Sequence, residues 1–289
     1  MSAATPDNFL GLTGRQCDPA RARVAVLPIP YDATTSFGGG ARGGPRAIIT
    51  ASQQVELYDE ALAAEPCAVG VTTLDAVEPD ARGPEPTMER IHAAARPVVR
   101  SGKFLLGLGG EHSVTSPLVR AVRSRYPKLS VLQIDAHADL RDKYQNSPYS
   151  HACVMRRVVD LGVPAVGVGI RNYSKEEAQF IRRTDYPLFT ARTCRTAGRW
   201  KEDILSCLTE HVYVTVDIDG FDPAYAPGTG TPEPGGLDWY QVTDLLATIA
   251  ADRQIVAADV VEVSPLPPST VTEFLAAKLA YRIIGLATR

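Results

Sequence analysis

Cysteines and clustered basic residues are scarce in this sequence, and each scarcity excludes a class of protein. The 289-residue chain has five cysteines, five histidines and a formal net charge of −3. Because the cysteines are odd in number and form no C-x-x-C pair, we expect neither a disulfide framework nor a thiolate zinc site. No stripe of lysine or arginine is present, so no nucleic-acid partner is expected. Free cysteines also favour a reducing, cytoplasmic location.

Long apolar runs are missing as well. The longest are interrupted by Lys278 and Arg282 or by Asp259, which predicts no transmembrane helix and no membrane partner. Residues 1–7 lack the basic segment followed by an apolar one that marks a signal peptide. With 45% hydrophobic and 22% charged residues, the composition is that of an ordinary globular protein, and we predict a single domain over 1–289.

Short apolar runs alternate with helical patterns along most of the chain. This alternation predicts an α/β fold with parallel strands joined by helical crossovers. We predict strands at 24–29, 67–71, 104–110, 130–135, 165–170, 186–190, 211–217 and 255–263. Helices are predicted from Pro45 and at 87–101, 115–126, 150–161, 174–183, 199–210 and 237–251. A last helix is expected after Thr270, with Thr270 and Glu273 forming a capping box.

The segment Asp135-Ala-His137-Ala-Asp139 follows the apolar run 130–134 directly. Its three polar side chains can converge where that strand ends, and oxygen and imidazole ligands suit a hard or borderline divalent ion such as Mn²⁺. The alternative is a strand-end aspartate cap followed by polar surface residues. Other strand ends favour the metal, since apolar runs also lead into His112, into Asp217 and Asp219, and into Glu262.

Six of these residues could hold two ions that share bridging carboxylates: His112, Asp135, His137, Asp139, Asp217 and Asp219. Two such ions activate a shared water, so the chemistry predicted from the residues is hydrolysis. His151 is a spare histidine for proton transfer, and its alternative is an ordinary residue at a helix start. Cys153 lacks a thiolate-activating neighbour, so no redox or catalytic role is expected for it.

Two loops flank these ligands. The glycine-rich stretch 37–44 lacks the Gly-Lys-Ser/Thr ending of a phosphate-binding loop, and we interpret it as a flexible rim of the crevice. The stretch 222–236 carries four prolines and four glycines without a strand or helix of its own. A loop of that length is usually functional, and we expect this one to shape the mouth of the metal site.

The joint pattern resembles the ureohydrolase (arginase/agmatinase) family over nearly the whole chain, and its agmatinase members most. The resemblance rests on Gly109-Gly-Glu-His112-Ser, Asp135-Ala-His-Ala-Asp139, Ser150-His151, the run 217–236 and Asp259-Val-Val-Glu262. It implies a three-layer α/β/α sandwich with a mostly parallel, about eight-stranded sheet. It also implies two Mn²⁺ per subunit and a homotrimer or homohexamer.

The resemblance further implies a role for each site residue. One ion is expected on His112, Asp135, Asp139 and Asp217, the other on His137, Asp135, Asp217 and Asp219. Asp139 would hydrogen-bond to the attacking water, and His151 would shuttle protons. Glu262 would hold the guanidinium of the substrate, whose planar fork matches a carboxylate.

The implied reaction is hydrolysis of agmatine to putrescine and urea. Formal charges leave about −2 at the loaded site, which a dication would neutralise. The segment 140–149 does not match the characteristic Asn- and Ser-containing run with which arginases bind an amino-acid group. Guanidinobutyrate, guanidinopropionate or N1-aminopropylagmatine are alternative substrates, and a substrate carboxylate would need Arg42, Arg141 or Arg171. A phosphoesterase is disfavoured by Glu262, and a silent homologue by the complete ligand set.

Overall fold

The computed structural model describes residues 6–289, so the first five residues used in the signal-peptide expectation lie outside the described residues. Within 6–289, eight strands form one sheet: Val24–Ile29 (β1), Val71–Thr73 (β2), Phe104–Gly109 (β3), Leu129–Ile134 (β4), Ala165–Ile170 (β5), Leu188–Thr190 (β6), His211–Asp217 (β7) and Gln254–Val261 (β8). Their order is β2-β1-β3-β8-β7-β4-β5-β6, and every neighbouring pair is parallel. The predicted eight-stranded sheet is confirmed.

Helices cover both faces of the sheet. In the described part of the chain the α-helices are Gly44–Ser52 (α1), Pro84–Arg100 (α2), Thr115–Arg123 (α3), Val154–Asp160 (α4), Lys175–Thr184 (α5), Ala191–Thr196 (α6), Trp200–Ser206 (α7), Trp239–Asp252 (α8) and Val271–Ala287 (α9). Short 3-10 helices occupy Phe9–Gly11, Gly14–Gln16, Ala41–Gly43, Pro66–Val69, His112–Val114, His151–Cys153 and Ile218–Gly220. Within the same residues, no helix has the length and apolar character needed to span a bilayer.

Two hydrophobic cores separate three layers. Ile48, Leu245 and Ile284 pack on one face of the sheet, in a cluster that also takes in side chains of β3, β7 and β8. Ile91 and Leu118 belong to the cluster on the other face. A strand buried on both faces needs a continuous apolar sequence, which is why the strand runs show no alternation of polar and apolar residues. The predicted three-layer α/β/α fold is confirmed.

Two local predictions were wrong. The strand predicted at 67–71 is a 3-10 helix from Pro66 to Val69, because proline suits the first helical position, and β2 begins only after Gly70 at φ +80°. Thr270 precedes α9 but its side chain caps nothing. The hydroxyl that accepts from the first N–H of α9 is that of Ser269 instead.

Capping boxes do occur on two other helices. Ser174 and Glu177 close the start of α5, and Asp238 and Gln241 close the start of α8. In each pair the side chain of the earlier residue accepts from the backbone N–H of the later one. The side chain of the later residue accepts in turn from the backbone N–H of the earlier one. The carboxylate of Glu177 also accepts from the backbone N–H of Leu140, so the start of α5 supports the segment that follows Asp139.

Candidate active site

Four adjacent strands deliver the polar residues singled out in the sequence to one edge of the sheet. β3, β8, β7 and β4 are neighbours in that order, although they are far apart along the chain. Their carboxyl ends lead into the six candidate ligands and into Glu262, and this is the edge where α/β sheets bind ligands. The residues brought together are His112, Asp135, His137, Asp139, Asp217, Asp219 and Glu262.

His112 is the centre of the first group. Its Nδ1 lies 3.0 Å from Asp135 Oδ2, 3.2 Å from Asp139 Oδ2 and 3.4 Å from Asp217 Oδ2. All four side chains are buried, and this nitrogen makes no hydrogen bond to any atom of residues 6–289. Ligands about 2.1 Å from a shared ion lie roughly 3.0–3.4 Å from one another. The spacing therefore fits a cation held between these atoms.

His137 is the centre of the second group. Its Nδ1 lies 3.0 Å from Asp219 Oδ2 and 3.7 Å from Asp135 Oδ1. Asp135 thus presents one carboxylate oxygen to each histidine, as expected of a ligand shared by two ions. The backbone N–H groups of Ala136 and His137 donate to Asp219 Oδ1 and Asp135 Oδ1, which fixes the orientation of both carboxylates. Two sets of three residues could each hold one ion: His112 with Asp135 and Asp139, and His137 with Asp135 and Asp219.

The electrostatics of the protein alone also favour cations here. Burial, and then Asp135, raise the pKa of Asp139 to about 7. Burial, followed by Asp219 and Asp135, raises the pKa of Asp217 well above its usual range. Burial would lower the pKa of His137, but Asp135 and Asp219 raise it to about 12. Packing several carboxylates in a buried space is costly unless positive charge accompanies them, and divalent ions supply it.

A chain of hydrogen bonds orients the His112 ring through its second nitrogen, Nε2. Its Nε2 lies 2.9 Å from Thr215 Oγ1, and Thr215 Oγ1 donates to Asp259 Oδ1 over 2.6 Å. Tyr213 donates to the other oxygen of Asp259, also over 2.6 Å. None of these three residues is among the site residues predicted from the sequence. The sequence feature that could have revealed them is the aspartate in the middle of the apolar strand β8. A buried carboxylate needs hydrogen-bond partners, so such an aspartate indicates polar neighbours.

Asp139 and Glu262 share an uncommon backbone conformation. Both are non-glycine residues with positive φ, 52° for Asp139 and 62° for Glu262. Glu262 Oε1 accepts from the backbone N–H of His112 over 2.7 Å, and burial followed by Glu111 raises the pKa of Glu262 well above its ordinary value. Residues held in sparsely populated conformations cluster at functional sites, where the surrounding structure fixes them.

His151 begins the 3-10 helix before α4 and lies at the same opening. Its side chain and Asp139 line one cavity of about 210 Å³. The backbone N–H of His151 donates to Thr34 Oγ1 over 3.1 Å, and its Nε2 lies 3.4 Å from Ser36 Oγ. Burial lowers the pKa of the imidazole from its ordinary value, which favours the neutral ring. The structure therefore brings all three predicted catalytic residues, Asp139, His151 and Glu262, to the metal-ligand groups.

A family model described as the Arginase family matches residues 22–285. The chain belongs to the arginase family. Its members are binuclear metal enzymes, and the two residue groups that share Asp135 fit two ions. The protein is therefore a hydrolase of the ureohydrolase type. Its candidate metal ligands are oxygen and nitrogen atoms, without sulfur. The assignment of each ligand to one ion stays a prediction.

Named relatives agree with the family. The chain is 42% identical to the N(1)-aminopropylagmatine ureohydrolase of Synechocystis sp. over 92% of its length and 89% of the relative. It is 35% identical to the agmatinase of Pyrococcus horikoshii over 93% of both chains. The crystal structure of agmatine ureohydrolase of Thermoplasma volcanium superposes with a TM-score of 0.88 at 32% identity, covering 99% of this chain and 96% of that one.

Both loops predicted to flank the site do so. Thr231 and Glu233 of the 222–236 loop line the cavity, as do Tyr144 and Tyr173. The glycine-rich stretch meets this loop backbone to backbone: a Cβ on Gly38 would lie 2.7 Å from the carbonyl oxygen of Gly230. The ring of Phe37 beside it is 85% exposed, so the rim of this ureohydrolase presents an aromatic side chain to solvent.

Arg171 holds the 222–236 loop in place. Its guanidinium donates to six backbone carbonyls, those of Gly169, Asp219, Gly220, Phe221, Glu233 and Pro234. These bonds use the guanidinium fully, so Arg171 does not fit the suggested role of binding a substrate carboxylate. Arg42 is paired with Asp32, away from the cavity. Of the three arginines considered, Arg141 lines the cavity.

The cysteines play no visible part in the site. All five are free, and Cys153 is buried with its thiol pKa raised to about 12, first by burial and then by Asp139. A thiol with such a pKa is almost entirely protonated at neutral pH, and the protonated form is a poor nucleophile. The expectation that Cys153 has no catalytic role agrees with this environment.

Proposed function

We propose that this ureohydrolase hydrolyses the guanidinium group of an agmatine-type polyamine and releases urea and an amine. One observation carries the proposal: Asp135 presents an oxygen to each of two metal-ligand groups, and Glu262 accepts from the backbone N–H of His112 in the first of them. Phe37, Gly38 and Glu262 line one narrow recess together with four of the predicted ligands, so a guanidinium at Glu262 would lie next to the ions.

Mn²⁺ is the proposed metal, two per subunit, because imidazole and carboxylate donors without sulfur suit it. When bound, the two ions supply Lewis-acid activation of a shared water. Glu262 orients the guanidinium by pairing with its planar N–H fork. Asp139 accepts a hydrogen bond from the attacking water and takes up its proton. The neutral His151 carries protons between the cavity and solvent and delivers one to the leaving amine.

N1-aminopropylagmatine is the substrate we propose first, with agmatine second. The relative at 42% identity bears the first name and the relative at 35% the second. The cavity supports a cationic tail, since Glu233 lines it with Tyr144 and Tyr173, and carboxylates and aromatic faces both attract amines. Agmatine itself is favoured by the charge argument, because its guanidinium and its terminal amine together carry the two positive charges that neutralise the loaded site.

Assembly, domain boundaries and location belong to the same proposal. We propose one domain over 1–289, a homotrimer or homohexamer, and a cytoplasmic enzyme. Light scattering of the purified chain measures the mass in solution directly. A monomer at micromolar concentration would contradict the assembly and leave the reaction untouched.

The test of function is urea release by Mn²⁺-loaded protein from five guanidines side by side. The panel is N1-aminopropylagmatine, agmatine, guanidinobutyrate, guanidinopropionate and arginine, with p-nitrophenyl phosphate as the probe for a phosphoesterase. We expect the highest kcat/KM for N1-aminopropylagmatine. A preference for a guanidino acid would overturn the proposed substrate and indicate that Arg141 binds the substrate carboxylate. If no compound released urea although two ions were bound per chain, the proposed enzyme activity would be overturned.

A further inference from the structure

The loop between β1 and α1 is attached to the end of β3 through Glu111. This carboxylate is fully buried and accepts from the backbone N–H of Thr34 over 2.6 Å and from the hydroxyls of Thr34 and Ser113. Three donors on one buried carboxyl group make a firm attachment, because a buried polar group that loses its hydrogen-bond partners carries a large desolvation cost.

The backbone fixes the same junction. Glu111 N–H donates to the carbonyl of Tyr31 over 2.7 Å, and Gly110 N–H to that of Ile29 over 2.8 Å. A Cβ on Gly110 would lie 2.0 Å from the Tyr31 oxygen, so only glycine permits this approach. The start of the loop is therefore anchored at both backbone and side chain, one residue before His112.

Thr34 connects this anchored loop to His151 by a hydrogen bond. Its hydroxyl proton is donated to Glu111, which leaves the oxygen free to accept from the backbone N–H of His151 over 3.1 Å. That N–H is the first of its helix, and the preceding residue, Ser150, supplies no side-chain cap. Two residues further along the loop, Ser36 Oγ lies 3.4 Å from Nε2 of the same ring.

We propose that Thr34 and Glu111 are positioning residues that set the place of the His151 imidazole in the cavity. Thr34 and Glu111 do not line the 210 Å³ cavity themselves, and their connection to it is the hydrogen bond from His151 N–H to the Thr34 hydroxyl. The inference rests on the proposed function, in which His151 moves protons during hydrolysis. A shift of about 1 Å in a proton-transfer group can lower a rate up to ~100-fold, which makes the attachment consequential.

Thr34→Val tests the proposal with little change in volume. We expect kcat for urea release to fall about tenfold, with KM for the guanidine and the Mn²⁺ content per chain unchanged. Thr34→Ser keeps the hydroxyl and should stay within about twofold of the natural protein. Thr243→Val is the matched control, because that buried hydroxyl bonds only within α8. Thr34→Ala replaces the valine variant if the latter does not fold.

Repeating the change on a His151→Ala background separates this inference from the proposed function. We expect Thr34→Val to have almost no further effect on kcat there, because the residue it positions is gone. An equal loss on both backgrounds, or an unchanged kcat in Thr34→Val, would overturn the positioning role. If His151→Ala alone kept the natural kcat, the role of His151 in the proposed function would fail, and the inference with it.

Discussion

Thr215 Oγ1 lies 2.9 Å from Nε2 of His112, on the side of the ring away from the carboxylates around Nδ1. Because a metal-binding histidine is oriented by the partner of its second nitrogen, Thr215→Val should weaken Mn²⁺ binding by roughly 10–100-fold. Competition with a fluorescent chelator measures the Kd. Thr243→Val, which loses a remote buried hydroxyl, should leave it unchanged; equal affinities in both variants would remove Thr215 from this role.

Asp217 is predicted to bridge the two ions, with Oδ2 facing His112 and Oδ1 accepting the backbone N–H of Asp219. Asp217→Ala should therefore lose bound Mn²⁺ and activity together. Elemental analysis after desalting counts the ions per chain. The exposed carboxylate of Asp244, on α8, provides the control Asp244→Ala. Two ions per chain in Asp217→Ala would contradict the bridging assignment.

Glu262 is predicted to bind the guanidinium without holding a metal. Glu262→Gln keeps the shape but removes the charge, so kcat/KM should fall by about 10–100-fold while both ions are retained. Steady-state urea release and metal counting on the same sample give both quantities. Glu273→Gln, a buried glutamate of α9, is the matched control and should behave as the natural protein. An unaltered kcat/KM in Glu262→Gln would exclude the role.

Arg171 is predicted to act on the substrate only through the 222–236 loop. Lysine cannot reproduce its fork of bonds to six carbonyls, so Arg171→Lys should lower the free energy of unfolding by about 2 kcal/mol and raise KM several-fold. Arg253 also donates to carbonyls, those of Leu205 and Leu208, far from the cavity. Arg253→Lys should cost comparable stability with KM unaffected. Urea denaturation and initial rates decide between the two effects.

The pH dependence of kcat should report His151. Burial holds its pKa below 6.5, since protonation would place a charge in a desolvated position. The neutral, proton-accepting ring is present above that pKa and is lost as the pH falls through it. At saturating Mn²⁺, the acidic fall in kcat should therefore have its midpoint below the ordinary pKa of histidine, 6.5. A decline that begins well above pH 6.5 and persists in His151→Ala would assign the titration to another group.

The fold was predictable because the strand runs are continuous and apolar. Strands such as Val24–Ile29 and Ala165–Ile170 were placed to the residue, since a sheet covered on both faces leaves no alternation to misread. The six-residue helix Ala191–Thr196 was missed, because it is too short to show a helical period. At Pro66 and Thr270 local patterns were misleading, since neighbouring residues supplied the actual turn and cap.

The candidate ligands were predictable for a different reason. Parallel strands share one carboxyl edge, so polar residues following separate strands must meet there. The residues behind the ligands were not predictable, because their partners depend on strand order. Thr215 lies opposite Asp259, and Tyr213 donates to the same carboxylate, only because β8 lies beside β7. Thr34 meets His151 across 117 positions of sequence, and no local pattern announces such a contact.

The sheet order also bears on how the chain acquires its metal site during synthesis. β8, the last strand, lies in the middle of the sheet, with β3 on one side and β7 on the other. Until it pairs, β2-β1-β3 and β7-β4-β5-β6 are two separate sheet fragments, and the ligand after β3 has no fixed distance to those after β4 and β7. Complete metal-binding competence therefore arrives only when nearly the entire polypeptide has been made and joined, so a half-made chain has no assembled two-ion centre in which to hold the ions.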